Sequence, residues 1–387
     1  MPIVANTGLP SFDRFRLEGG DVLSRDRAVS QDIRELHIGL MNNMPDAAME
    51  ATERQFLRLI GGCNRIAQFY VYPFSPPQIT RGVDAKRHIE KYYYDFDQLK
   101  LDGLDALIVS GANPVCAELP DESFWEPMVE TLDWAIEHVT STLCACLATH
   151  AAFLHLHEVS RRPLSEKRWG VFPHRVVADH PLVRNINSRF DVPHSRWNDI
   201  SATDMRNVGQ QVLVQSEEAG VHLATSADGL RLIFFQGHPE YDNFSLLKEY
   251  KREVNRFLDG EVDRYPPFPT HYFMPEMIPL LDQYRADAEE ARRLGIDCRE
   301  FPESDILGDN TWGDTGKIVF NIWLGTIYQL TNPDRRKPFM DGIDPTNPLA
   351  RILTSLPTLE VGMSPQPWYN SSKRRFDHQL AGAIQVC

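Results

Sequence analysis

The roughly 18 consecutive apolar residues that a membrane-spanning helix needs occur nowhere in this 387-residue chain, and the first twenty residues hold no apolar run of the kind a secretory leader carries. Cysteine is scarce. Cys63, Cys116, Cys144, Cys146, Cys298 and Cys387, spread over so long a chain, do not make a disulfide framework and suit a reducing compartment, the cytoplasm. Cys144 and Cys146 stand one residue apart, but no second thiol pair at zinc spacing completes a ligand set, so no metal is expected. Basic charge is in deficit, with 40 Lys and Arg against 54 Asp and Glu and a formal net charge of −14. That balance argues against a nucleic-acid partner or an anionic membrane surface, and it offers no long-range steering to an anionic substrate. Any anion must be caught by local cations or by helix N-termini. Internal repeats are also lacking.

What is present is an ordinary globular composition in a chain long enough to bury a sizeable core. From residue 34 onward, short β-rich runs alternate with amphipathic stretches. This is the pattern of an α/β fold, a mostly parallel sheet flanked by helices. Strands are predicted at 36–41, 66–71, 106–109, 141–145, 170–176, 211–215, 221–225 and 231–235. Helices are predicted at 47–60, 124–138, 148–157 and 243–258. The expected organisation is an N-terminal arm over 1–34, a catalytic α/β domain over 35–260, a helical C-terminal extension over 261–335 and a peripheral tail over 336–387. Tyr265-Pro266-Pro267-Phe268-Pro269 is a rigid connector into the extension. Beyond it, 276–294 reads as a charged, surface-exposed helix, and 316–331 as one apolar enough to dock onto the main domain or a partner subunit.

The chemistry concentrates in two places. Cys146 falls at a sharp turn between a predicted strand and a predicted helix, where its sulfur stands clear of the sheet and the helix N-terminus favours a thiolate. Backbone amides at such a turn can face a developing oxyanion, and the small neighbours Ala145 and Ala148 fit it. A free cysteine is as often a buried small hydrophobe. The second place is Gln236-Gly237-His238-Pro239-Glu240-Tyr241-Asp242, directly after an apolar strand. Residues two apart in an extended segment project to one side, and Pro239 fixes a backbone angle between them. His238 could then act as a base for the thiol while Glu240 holds its tautomer. Alone, His238 is more often a packed loop histidine and Glu240 a solvated carboxylate; His150, one turn beyond Cys146, is a rival base read as structural or substrate-lining.

A family resemblance rests on many short matches spread over roughly residues 1 to 260 and more weakly to 335. They are Met1-Pro2-Ile3, Gln31-Asp32-Ile33-Arg34, Asn42 with Met44-Pro45, Gln55-Phe56-Leu57-Arg58-Leu59, Ser110-Gly111-Ala112, Thr140-Ser141-Thr142-Leu143, Glu166-Lys167 with Gly170-Val171-Phe172, Pro193-His194-Ser195-Arg196 and Gly237-His238-Pro239-Glu240-Tyr241-Asp242. In this order they resemble the homoserine O-acyltransferases of the homoserine O-succinyltransferase type. The resemblance implies the fold of class I glutamine amidotransferase domains, a homodimer, and an early step of methionine biosynthesis. It further implies that Cys146 carries the acyl group as a thioester, His238 is the general base and Glu240 its orienter. Lys167, Ser195 and Arg252 would line the amino-acid site, with Arg252 a carboxylate clamp. Taken singly, Lys167 and Ser195 read as surface and loop residues, and Arg252 as part of a solvated face with Glu249 and Glu253. Acyl-CoA and L-homoserine are the implied small-molecule substrates, and no cofactor is implied. Exchange of one thioester for another keeps the acyl group activated, so the expected kinetics are ping-pong.

Several positions depart from the family pattern. Leu147, Ala148 and His150 replace the usual residues after the nucleophile, and Asp46-Ala47 stands where a lysine pair is usual. The position that tunes acyl choice, glycine with succinyl and glutamate with acetyl, is Val115. Valine lacks the negative charge that repels a succinyl carboxylate, which favours succinyl slightly. Competing readings are an O-acyltransferase for another hydroxyl amino acid such as serine, a thiol hydrolase or glutamine amidotransferase sharing the Cys, His and Glu arrangement, and a non-catalytic relative.

Overall fold

An eleven-stranded sheet organises the chain in a computed structural model that describes residues 2–63 and 67–354. In chain order the strands are β1 (Ile3–Ala5), β2 (Val22–Ser24), β3 (Glu35–Met41), β4 (Gln68–Phe74), β5 (Ala106–Val109), β6 (Ser141–Ala145), β7 (Arg162–Val176), β8 (Arg189–Asp199), β9 (Gln211–Ser216), β10 (Gly220–Thr225) and β11 (Leu232–Phe235). Side by side they run β2-β1-β4-β3-β5-β6-β11-β10-β9-β7-β8. Every pairing from β2 to β11 is parallel, and every pairing from β11 to β8 is antiparallel. The central strands β5, β6 and β11 are buried along their whole length. That is why they are written as unbroken apolar or small residues rather than as an alternation.

The mostly parallel sheet flanked by helices is the predicted fold. The first 34 residues, expected as an arm, add β1 and β2 to the parallel edge, with Ile3 and Val4 fully buried. The strand expected over 66–71 is β4; residue 66 lies outside the described residues. β7 begins eight residues before the predicted Gly170, at Arg162, because its first half is exposed and polar and its pairing with β8 slips between Pro163 and Arg168. Residues as far as Leu349 form one compact unit. Of the second unit, the described residues contain the short helix Ala350–Thr354; the rest of the expected tail, 355–387, lies outside them.

Two C-terminal helices are built into the molecule. Ile278–Leu294, expected on the surface, buries Leu281, Tyr284, Ala288 and Ala291, one face at helical spacing, in a core shared with Tyr250 and Trp169. Its charged residues supply only the opposite face. Gly313–Leu330 buries Val319, Phe320, Trp323, Leu324 and Ile327. It lies beside β11, with Phe320 stacked on Phe235 at 6.3 Å and Trp323 Nε1 donating to Ser141 Oγ at 2.8 Å. A side chain at Gly316 would begin 3.1 Å from the Pro239 carbonyl oxygen, so glycine lets this helix sit directly under the His238 segment.

Packed against that helix through Phe56 and Phe320, at 6.4 Å, the helix Asp46–Gly61 places Glu53, fully buried, among three donors. Ser11 Oγ donates at 2.5 Å, the Tyr93 hydroxyl at 2.8 Å and His88 Nε2 at 2.8 Å. The hydrogen bond to Glu53 raises the pKa of His88 despite the opposing effect of burial. A raised histidine pKa stabilises the fold fully below the unfolded value of about 6.5 and loses that contribution as pH climbs through the folded value. Chemical denaturation of wild type and His88→Gln at about pH 6 and about pH 9 should therefore show a larger stability gap at the acidic pH. A gap independent of pH, or larger at the alkaline pH, would contradict the pairing.

Candidate active site

Strand β6 delivers its chain to Cys146, which has φ 49° and ψ −108° before the helix Leu147–His157 begins. A non-glycine residue in that region is strained by about 1–3 kcal/mol and persists only where its surroundings dictate it. Here they do. The Cys146 amide donates to the Phe235 carbonyl at 2.7 Å, extending the β6–β11 ladder by one residue, and the Cys146 carbonyl accepts from the Thr149 amide at 3.0 Å. Thr149 Oγ1 lies 2.9 Å from the carbonyl oxygens of both Cys144 and Phe235, pinning the two strand ends to the helix. Ala148, Ala151 and Ala152 are fully buried and let the helix lie close to the sheet. Cys144, one pleat earlier, is sealed in the core and burial pushes its thiol up to about 12; the partly exposed thiol is that of Cys146. Gly111 runs alongside, close enough that a side chain there would lie 3.6 Å from Cys146 Cβ and 3.8 Å from the Leu147 nitrogen. The Leu147 amide, in the first helical turn, has no intrahelical acceptor.

Strand β11 delivers His238. Between them Gln236 is fully buried and anchored on both ends. Its amide nitrogen donates to the carbonyls of Ile200 and Val221 at 3.0 and 3.2 Å, while its oxygen accepts from the Ile200 amide and from His150 Nε2, both at 2.9 Å. His150 is therefore a structural donor, and burial pushes its pKa down to about 3. The His238 amide donates to the Pro193 carbonyl at 2.8 Å. Its Nδ1 donates to Glu240 Oε1 at 2.7 Å, and the Tyr241 ring stacks on the imidazole at 4.3 Å. The other nitrogen, Nε2, is buried and makes no hydrogen bond of regular geometry. Cys146 is nevertheless near enough to act on the ring electrostatically. Burial works against a charged imidazole, yet the interactions with Cys146 and Glu240 outweigh it and raise the His238 pKa well above the ordinary histidine range.

A second cluster adjoins the first. Lys167 Nζ, Ser195 Oγ and the Tyr241 hydroxyl all converge on Glu249 of the helix Ser245–Leu258, at 3.3, 2.7 and 2.7 Å. Burial pushes the Glu249 carboxyl up, but Lys167, Tyr241 and Ser195 overcome this and hold it below its usual range. The Lys167 ammonium also sits 4.2 Å over the Trp169 ring. Glu249 was read in sequence as part of a solvated face. No spacing along its helix marks it as buried. Arg252 itself is exposed and pairs with Glu253 at 3.2 Å, one turn from Glu249 rather than in contact with it. Val115 is also exposed; it lies on a loop whose Val115 and Cys116 amides both donate to buried Glu122 at 2.6 Å. Asp46, where the family pattern has lysine, accepts from the Gly82 amide at 2.7 Å and from Arg81 at 3.2 Å, so its charge is used to tie a loop.

Behind His238 lies a buried relay that no sequence pattern announced. His174 Nδ1 donates to the Phe172 carbonyl at 2.8 Å, which leaves its Nε2 as an acceptor for His194 Nε2 at 3.1 Å. His194 Nδ1 must then accept, and its partner is Arg196 Nη1, whose Nη2 donates to Asp199 at 2.7 Å. Burial lowers both histidines, His174 to about 4, so the array stays neutral apart from the Arg196–Asp199 pair.

The family model described as homoserine O-succinyltransferase matches residues 2–333. A homoserine O-succinyltransferase of Methylobacter tundripaludum is 57% identical over 352 residues, covering 90% of this chain and 99% of that one. One of Methylococcus capsulatus is 58% identical over 352 residues with the same coverage. Among solved structures, a glutamine amidotransferase from Thermotoga maritima is similar with a TM-score of 0.39 and 13% identity, covering 76% of this chain and 97% of that one.

The backbone at Cys146 generates a stability prediction that separates strain from chemistry. Cys146→Gly and Cys146→Ala both remove the thiol, but only glycine relieves the positive φ. The glycine variant should be the more stable of the two by roughly 1 kcal/mol in chemical denaturation. Equal stability, or a less stable glycine variant, would show that the elbow is unstrained.

Proposed function

The chain belongs to the homoserine O-succinyltransferase family and is an acyltransferase. On that premise we propose that it moves a succinyl group from succinyl-CoA to the hydroxyl of L-homoserine through a thioester on Cys146, a step of methionine biosynthesis carried out by a cytoplasmic homodimer. The observation that carries the reading is the linked set of Glu240, His238 and Cys146, with Nδ1 of the imidazole committed to the carboxylate and Nε2 left for the thiol.

The charge balance of the site gives the order of events. The Cys146 thiolate attacks the thioester carbonyl of the acyl-CoA. The oxyanion that forms is met by the Leu147 amide and the backbone beside Gly111. Collapse breaks the bond to CoA, and protonated His238 supplies the proton that the departing thiolate takes. Acylation removes the negative charge on Cys146, and with it the chief influence that kept His238 protonated. The imidazole, now neutral and still held by Glu240, accepts the proton of the homoserine hydroxyl as that oxygen attacks. Collapse of the second tetrahedral intermediate regenerates the thiolate beside an imidazolium. The nucleophile thus sets the base to the protonation state that each half-reaction needs.

Substrate capture follows from the second cluster. Glu249, an anion in a largely buried position, receives the α-ammonium of homoserine, with Ser195 and Lys167 bracketing it. Lys167 and Arg252 take the carboxylate, Arg252 by turning from Glu253, which costs little at an exposed site. On the acyl side Val115 brings no negative charge. Half-buried Arg161 lies within electrostatic reach of Glu122, Glu118 and Cys146 and provides a cation suited to a succinyl carboxylate.

Intact-protein mass spectrometry after mixing with succinyl-CoA or acetyl-CoA tests the core of the reading. Wild type should gain one acyl group, more readily from succinyl-CoA, and Cys146→Ala none; equal labelling of both proteins sinks the thioester. Double-reciprocal plots should be parallel, and His238→Asn should lower kcat by about 10²–10⁴. A separate readout is histidine NMR, with His238 assigned through the same variant. Its titration should move to lower pH on acylation of Cys146 and also in Glu240→Gln. An unchanged titration in the acyl-enzyme refutes the charge-controlled base.

A further inference from the structure

Tyr241 touches both halves of the candidate site, yet no chemical step uses it. Its ring lies 4.3 Å from the His238 imidazole with 19° between the planes, and its hydroxyl donates to Glu249 Oε1 at 2.7 Å. The residue is pinned at its root as well. Its amide donates to the His238 carbonyl at 3.2 Å, its carbonyl accepts from Trp312 Nε1 at 2.7 Å, and its ring packs against the core that holds Tyr250 and Leu281. Burial and the adjoining Glu249 carboxylate push the hydroxyl well above the ordinary tyrosine range, so it stays protonated and donates. Proton transfer is therefore not its task. What a fixed phenol supplies is a length.

The two oxygens of Glu249 are used unequally. Oε2 accepts from Ser195 at 2.7 Å and from Lys167 at 3.3 Å, whereas Oε1 accepts from Tyr241. A carboxylate oxygen takes two hydrogen bonds, so Oε1 has capacity left for an incoming ammonium, beside the phenol hydroxyl. The amino end of an acceptor then sits at one end of the phenol, and the ring that must take the acceptor's proton lies against the phenol face. One rigid, planar group sets the distance between them.

We propose that Tyr241 is a positioning residue that selects the acceptor by chain length: as a spacer between Glu249 and His238 it matches an α-amino acid whose hydroxyl stands three carbons from its nitrogen. The proposal deepens, and rests on, the reading in which Glu249 receives the α-ammonium and His238 the hydroxyl proton. Serine is one carbon shorter than homoserine. Anchored at Glu249, it holds its hydroxyl on the order of 1 Å from the productive position, a misplacement that costs about 10²-fold. Acylation of Cys146 involves no acceptor, so it needs the ring against the imidazole but not the bond to Glu249.

Two substitutions separate these contacts. Tyr241→Phe keeps the ring on the imidazole and loses the bond to Glu249; Tyr241→Leu loses both. Acylation by succinyl-CoA, followed without amino acid, should stay within about threefold of wild type in the Phe variant and fall at least about tenfold in the Leu variant. In the Phe variant KM for homoserine should rise at least about tenfold. Its preference for homoserine over serine in kcat/KM should fall at least about fivefold. A merely structural contact, when lost, lowers both half-reactions together and leaves the preference unchanged. That outcome overturns the proposal, as does a Phe variant with wild-type KM and preference.

A second measurement needs no acyl-CoA. L-2-Aminobutyrate, which is homoserine without its hydroxyl, should bind wild type and move the His238 ring signals in NMR, because its ammonium competes with the phenol for Oε1. At saturation it should move them less than half as far in Tyr241→Phe. Equal movement in the two proteins, or none in wild type, overturns the spacer. Glu249→Gln should weaken aminobutyrate binding at least about tenfold. Undiminished binding there refutes the capture site and this proposal with it, whereas weakened binding with equal His238 movement in Tyr241→Phe overturns the spacer alone. Failure of wild type to acylate refutes the thioester, and the aminobutyrate arm still decides the role of Tyr241.

Discussion

The pairing of β6 with β11 is the constraint from which the active site follows. The two strands are far apart in the chain but parallel neighbours in the sheet, so their C-terminal ends emerge side by side. The hydrogen bond from the Cys146 amide to the Phe235 carbonyl carries that register one residue past the strand. It fixes where the thiol stands relative to the segment that carries His238. Slippage by one residue would turn the side chains of the slipped strand to the opposite faces, since they alternate along it. Buried residues on both faces of β6 and β11 forbid such a slip, and the positive φ of Cys146 is tolerated because its neighbours on both strands are already fixed.

Placed this way, thiol and imidazole form one electrostatic unit rather than a nucleophile with a base beside it. In the proposed reaction each stage changes the charge on sulfur, and Cys146 is the leading influence that raises the His238 pKa. Glu240 contributes a constant influence and the ring's orientation. The buried relay of His174, His194 and Arg196 stays fixed beneath, because its tautomers are dictated by a backbone carbonyl at one end and a guanidinium at the other. A neutral, fully ordered polar array next to a titrating histidine limits competing proton acceptors.

How much of this was legible in sequence depended on burial. Strands β3, β5, β6 and β11 were readable because parallel strands covered on both sides must be apolar throughout. β8 and the first half of β7 were not, because an antiparallel hairpin at the sheet edge, half-buried along β8 and exposed at the start of β7, tolerates charged residues and proline, and a proline such as Pro193 inside a run argues against a strand. The meeting of Cys146, His238 and Glu240 could be anticipated from a strand-to-helix turn and a two-residue spacing. Glu249 could not: its partners Lys167, Ser195 and Tyr241 come from β7, β8 and the segment after His238, and only tertiary structure turns a carboxylate on a highly charged helix into a buried hub. The exposed placement of Arg252 and Val115 was equally hidden, since spacing along a helix or loop gives a direction but not a contact. The charged helix at 278–294 misled for a related reason, as its narrow apolar stripe of Leu281, Tyr284, Ala288 and Ala291 is diluted by charge on the other face.

The C-terminal helices explain how a strained elbow and a demanding loop are kept in place. The segment from His238 to Asp242 has no regular secondary structure, so its geometry must be imposed from outside. Trp312 holds the Tyr241 carbonyl, Tyr272 donates to the Asn243 carbonyl at 2.6 Å, Arg58 pairs with Asp242 at 2.8 Å, and Gly316 supports Pro239 from below. Three of these four contacts come from residues after 260. The helix Gly313–Leu330 can supply them only because its apolar face is anchored to the central sheet through Phe235 and Ser141, the latter on the strand that delivers Cys146. Packing remote from the His238 segment thus holds the imidazole near the thiol, and the sequence after residue 260 belongs to the same mechanical unit as that segment.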